Sequence, residues 1–274
     1  MRARWRAFLA GWKLALRIAG LSFRAELEYR ADFLTSIIFG VAWQASIIVF
    51  ATVLLGNFPG MAGWPSHDVL LIAAMRMLSH GLFAFFLDRN HLLPSLVQDG
   101  RLEAFLLRPM PVYRQVQLAY FPTNALGDLL VGSSMFTWAV SVIDLRWTPE
   151  RITYLVAGVV GGMFLEAAIS TTLAGLLLHF PAASAWHLWI EELLGTFGNY
   201  PLSFLPRLIT NAFTFVLPLA FIAYLPAAVI TGHTRGLNVP YALAAGAPMI
   251  GLLAYVASRL VWNAGLRRYT GVTG

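Results

Sequence analysis

Residues 33–55 read FLTSIIFGVAWQASIIVFATVLL, 23 positions without one ionisable side chain. A helix rises 1.5 Å per residue, so about 20 apolar residues cross the roughly 30 Å of hydrocarbon in a bilayer, and a run of this kind reads as a membrane span. The rest of the chain follows the same rule. Of its 274 residues, 58% are hydrophobic and 12% charged, against roughly 25% charged in soluble domains. Five more apolar stretches are long enough to cross: 69–87, 124–143, 154–178, 209–230 and 239–261. The expectation is an all-α polytopic membrane protein, one transmembrane domain over residues 1–274 with six spans.

The loops carry the next signal. Seven basic residues precede the first span (Arg2, Arg4, Arg6, Lys13, Arg17, Arg24, Arg30) and four precede the third (Arg89, Arg101, Arg108, Arg114). The loop GNFPGMAGWPSH after the first span holds none. With Arg207 before the fifth span and Arg259, Arg267 and Arg268 at the carboxyl end, fifteen positive charges fall on one side, against Arg146, Arg151 and Arg235 on the other. Lys and Arg accumulate on the cytoplasmic side, which predicts that both termini lie inside. The net charge of +6 then describes loops beside lipid headgroups, and no nucleic-acid partner is expected.

Residues 1–30 lack the unbroken apolar core of a secretory leader. Trp5, Phe8, Leu9, Trp12 and Leu16 follow i, i+3, i+4, i+7 spacing, with Arg6, Lys13, Arg17 and Arg24 on another face. That pattern predicts an interfacial helix on the inner leaflet, with membrane lipid as its partner.

Several chemistries are excluded. The chain has no cysteine, hence no disulfide framework and no thiolate nucleophile. A phosphate-binding loop of the form G-x-x-x-x-G-K-[ST] needs a lysine in that setting, and the sole lysine is Lys13, in GWKL. The chain therefore has no ATPase site of its own. His67, His80, His91, His179, His187 and His233 show no H-x-x-x-H spacing and read as interfacial or loop residues.

Three ionisable residues fall inside expected spans, where each costs on the order of 3 kcal/mol at the bilayer centre: Arg76, Asp128 and Glu166. Arg76 and Glu166 lie near mid-span, so they are expected to pair across helices, or else to face a pathway and meet a charged substrate. Asp128 sits close enough to the inner end to reach water. A carrier using all three as a proton relay is the alternative function, although no repeated halves with matching broken segments accompany them. In the fifth span Pro218 and Pro226, eight apart, each remove a backbone donor and mark a possible hinge. Gly158 and Gly162 form a G-x-x-x-G that permits close helix approach in the fourth.

The loop of residues 88–117 contains DGRLEAFLLRPMPVYRQ, residues 99–115. Asp99 suits a helix N-cap, followed by Gly100; Leu102, Phe105 and Leu106 make one apolar stripe, with Arg101, Glu103 and Arg108 off it. Pro109 and Pro111 stop the helix after about two turns. So short a helix is marginal alone in water and must pack against something. The pattern predicts a cytoplasmic docking surface with Phe105 as its anchor.

That run resembles the G…LLRP segment of the permease subunits of type-two ATP-binding-cassette exporters. NYPLSFLPRLITNAFTFVLPLAFIAYLPAAVI, residues 199–230, is similar to the same family's YP…P…YLPA region. The resemblance implies a small six-span permease of a bacterial inner membrane, moving an unspecified substrate out of the cytoplasm or inner leaflet. It implies that Asp99 to Pro109 form or adjoin a coupling helix seated on a separate ATPase subunit, which would carry the ATP and magnesium; this chain holds no cofactor. It also implies a dimer with a second copy or a paralogue.

Overall fold

The computed structural model describes residues 17–18, 20–57, 60–180 and 183–271. The apolar stripe of the expected interfacial helix lies outside them; residues 20–28 are helical, and Phe23 packs against Phe33 and Phe121. The long helices α1 (Arg30–Asn57) and α2 (Ser66–Phe86) are joined through a two-stranded ribbon, β1 (Gly60–Met61) against β2 (Trp64–Pro65). Ala62 and Gly63 both take positive φ at its turn, 52° and 84°, the twist that a two-residue hairpin requires.

At the far end of α2, Arg89 donates from Nη1 to the carbonyls of Ala84 and Phe85, at 3.1 and 2.6 Å. A cation on these last carbonyls satisfies acceptors the helix leaves free. Three short helices follow, α3 (Leu93–Gln98), α4 (Arg101–Leu106) and α5 (Val112–Gln117), then α6 (Thr123–Val142) and α7 (Pro149–Leu177). Thr148 caps α7, its Oγ1 accepting from Arg151 N, and Pro149 supplies the first turn. The helix α8 (Ala183–Phe197) comes next.

Among the described residues, four helices are long and apolar enough to cross a membrane: α2, α6, α7 and α12 (Ala247–Arg268). Together with α1 they pack in the order α1, α6, α2, α7, α12. The α7–α12 contact is the tightest, because Gly251 meets the Gly161 carbonyl and a Cβ at either glycine would overlap backbone of the other helix. The last helix begins at Ala247, after the short α11 (Tyr241–Ala245), rather than at Val239 as hydropathy places it.

The expected fifth span is not one helix. Residues 207–231 form α9 (Arg207–Asn211), a π turn Ala212–Val216, a break at Leu217 and Pro218, a 3₁₀ turn Leu219–Phe221 and α10 (Tyr224–Thr231). Pro218 has no N–H to give, and Leu217 before it is extended, as a residue preceding proline tends to be. Both ends of the segment return to the ribbon. Asn238 Nδ2 donates to Asn211 Oδ1 at 3.1 Å and to Thr214 Oγ1 at 2.9 Å, and Trp64 lies against the Tyr224 and His233 rings. The tip is buried, with Leu219, Ala220, Phe221 and Ile222 at 5% exposure or less. Gly158 and Gly162 accommodate Pro226 and the Ile222 carbonyl of this segment instead of another long helix. A non-helical turn between long apolar helices is tolerated only when protein covers it, as here.

Arg207 consequently lies at the ribbon end with Gly236, Leu237 and Asn238, not with the basic loops, which leaves fourteen of the loop positive charges against four. The chain reaches that end along α8, which starts near the end of α2, where His187 approaches Asp88, and finishes where Gly198 lies under the Arg76 side chain.

Candidate functional site

Two regions concentrate the chemistry. The first is the loop between α2 and α6. Gly100 adopts φ 65°, a left-handed conformation that turns the chain from α3 into α4. Asp99 is therefore not the N-cap of α4: it closes α3, its N–H donating to Ser95 O at 2.9 Å, and α4 has no side-chain cap. The stripe also divides differently from the sequence expectation. Leu102 and Phe105 point into the chain's own core, 0% and 9% exposed, among Leu93, Leu96, Val116, Leu177 and Trp262. Leu106 and Leu107 point away, 46% and 88% exposed, with Arg101, Arg108 and Pro109 also on the surface. Phe105 is thus an internal anchor, and the outward apolar group is Leu106 with Leu107.

Hydrogen bonds fix this segment from behind. Buried Gln115 donates from Nε2 to the carbonyls of Phe105 and Met110, at 2.8 and 2.7 Å, tying the end of α4 to the turn after it. Arg108 lies over the Phe105 ring at 5.2 Å. Glu103 Oε1 accepts from the Tyr269 hydroxyl at 3.0 Å; burial first, then this carboxylate, pushes the phenol up to about 12, so it stays a donor. Tyr113 on α5 hydrogen-bonds both Thr171 of α7 and Tyr255 of α12 at 3.2 Å, with the Arg259 guanidinium 3.2 Å above its ring. Asn90 donates to Ser170 and Thr171. These contacts join α4 and α5 to α7 and α12, the most tightly packed pair of long helices.

The second region lies between α1, α2, α6 and α8. Arg76 Nη1 stands 3.0 Å from Glu166 Oε1; the approach is that of an ion pair, with angles outside hydrogen-bond geometry. The other Glu166 oxygen lies 2.9 Å from His80 Nδ1, a hydrogen bond. His80 is thus a buried-site residue and not an interfacial one, and the signal was present: Arg76 and His80 are i, i+4 on α2 and reach one carboxylate together. Asp128 does not join the pair. Its carboxylate takes a hydrogen bond from Gln44 and faces a cavity of about 420 Å³ lined also by Arg76, His80, Asp88, Glu191 and Asn199.

Pro218 and Pro226 do not share a helix face. Pro218 sits at the break of the 207–231 segment, and Pro226 lies within α10 against Gly158.

Residues 41–273 match the family described as ABC-2 family transporter protein. No curated protein and no solved structure matches the chain.

Proposed function

Because this chain belongs to the ABC-2 family of transporter proteins, membrane permeases of ABC transporters, we propose that it is the transmembrane subunit of an ATP-driven exporter. Its energy comes from a separate ATPase subunit that carries the ATP and magnesium. The observation that carries the reading is the two-sided helix α4. One side packs on α7 and α12 through Leu102 and Phe105 and is held from α5 by Gln115, and the other offers Leu106 and Leu107 with Arg101 and Arg108 beside them. A surface of this kind receives a partner's movement and passes it into the bundle.

In this reading the membrane is crossed six times, by α1, α2, α6, α7, α8 with the residues after it, and α12, while residues 207–231 enter and leave from outside. The loop end faces the cytoplasm of a bacterial inner membrane. The polar cavity then lies on the inner side of the Arg76–Glu166 pair and the buried tip Leu219–Ile222 on its outer side. That is an inward-facing arrangement, loaded from the cytoplasm or inner leaflet. ATP binding would draw two ATPase subunits together, carry α4 with them, and bias a dimer of identical or paralogous permeases toward outward access. Break points around Pro218 let the tip move. A proton relay through Arg76, Asp128 and Glu166 is not favoured, since Arg76 and Glu166 close on each other.

The test is Leu107→Glu. Copurification of a nucleotide-hydrolysing subunit should fall at least tenfold, while the melting of the permease itself stays unchanged. Full copurification and normal ATP turnover in Leu107→Glu and in Arg108→Glu would reject the docking surface.

A further inference from the structure

We propose that Asp88, His187 and Glu191 form a site for a divalent first-row transition ion at the inner mouth of the cavity. His187 and Glu191 are i, i+4 on α8, and Asp88 follows the end of α2. One ligand atom from each lies within 4.8 Å of the others.

Two features distinguish this group from an ordinary helix pair. His187 Nε2 is 3.0 Å from Glu191 Oε1, yet Nε2 makes no hydrogen bond. The contact is an i, i+4 ion-pair approach whose angles fall outside hydrogen-bond geometry, which leaves both atoms able to meet a third partner. Tetrahedral ligands held at about 2.0–2.1 Å from an ion sit about 3.3 Å apart, near the His187–Glu191 separation, and Asp88, within 4.8 Å, must close in to complete the set. Asp88 Oδ1 is also shielded from solvent and has no hydrogen-bond partner. An oxygen left so is costly unless something else meets it.

The donor set names the ligand class. One imidazole and two carboxylates suit zinc and its neighbours, whereas calcium asks for six or more oxygens. Three protein ligands leave a fourth position open. His91, tied to Tyr120 through Nε2, stands with Nδ1 3.7 Å from the other Asp88 oxygen, an ion-pair distance outside the ligand set. An ion here ties the end of α2 to α8 across the cavity mouth, so its occupancy stiffens the entrance.

Cobalt(II) is the probe, because its visible absorption reports coordination. The purified full chain in detergent should bind one equivalent saturably at pH 7 and release it to excess zinc. His187→Ala and Glu191→Gln should each weaken binding at least tenfold. Glu191→His, which keeps a ligand at that position, should stay within a few-fold of the parent, separating loss of a ligand from loss of fold. His233→Ala, at the ribbon end, should leave binding unchanged. Absence of saturable binding in the parent chain, undiminished binding in His187→Ala, or equal loss in Glu191→His and Glu191→Gln would each overturn the site.

Discussion

Arg76 and Glu166 meet across α2 and α7 with Nη1 3.0 Å from Oε1 and only 6% and 1% of their side chains exposed. Arg76 depends on this contact, its Nε having no partner, whereas Glu166 is also held through its second oxygen by His80. Gly198 makes room for the arrangement, since a Cβ there would meet Arg76 Nε at 2.8 Å. The pair therefore fixes α2, α7 and the chain beyond α8 at one point beneath the re-entrant tip.

Breaking the pair from one side leaves a buried charge alone. Arg76→Met or Glu166→Gln should each destabilise the folded protein by about 3–5 kcal/mol, and the double variant should recover much of that loss. Thermal melts in detergent measure it. Additive losses would show that the two residues do not depend on each other.

The faces of α4 make a second prediction. Phe105→Ala removes a ring from the cluster around Leu102 and Trp262 and should cost about 3–5 kcal/mol of stability. Leu107→Ala removes a side chain that is 88% exposed and should stay within about 0.5 kcal/mol. Urea or heat titration of the two variants checks the contrast, and equal effects would place Leu107 in the core.

Glycines in the long helices should divide by what they touch. At Gly251 an added Cβ meets the Gly161 backbone, which no rotamer change relieves, so Gly251→Ala should destabilise by roughly 1–3 kcal/mol. At Gly195 in α8 nothing lies within 4 Å, and Gly195→Ala should stabilise by about 0.5–1 kcal/mol through helix propensity alone. The same melts report both signs.

Hydropathy made α1, α2, α6 and α7 legible, because each is a long helix that is apolar along its length, whether its faces meet other helices or not. It read residues 209–230 as one helix for a physical reason: a buried, broken segment is as apolar as a continuous span, and length alone does not tell one pass from a return. It passed over α8 for the converse reason. That helix is only 15 residues long and is interrupted by His187, Glu191 and Glu192, so no uncharged run of spanning length marks its path across the bundle. At the candidate sites, the depths of Arg76 and Glu166 were readable from position. The inward turn of Phe105 depends on Gly100, Gln115 and the ends of α7 and α12, which no local pattern contains.

The re-entrant path makes the last prediction, and a chain without cysteine makes it clean to test. Single cysteines at Gly63 in the ribbon turn, Ser203 after α8 and Gly100 before α4 are compared with an impermeant thiol reagent on intact cells. Hydropathy alone puts position 203 on the same side as position 100. The fold puts Ser203 beside Tyr224 and Gly236, at the ribbon end. Ser203→Cys should therefore label from outside together with Gly63→Cys, while Gly100→Cys labels only after the membrane is opened. A shielded Ser203→Cys that becomes reactive alongside Gly100→Cys would restore a simple fifth span and remove the re-entrant hairpin. With the hairpin would go the assignment of Leu219–Ile222 as an outer closure above the Arg76–Glu166 pair, since a full span carries its midpoint past that depth without turning back.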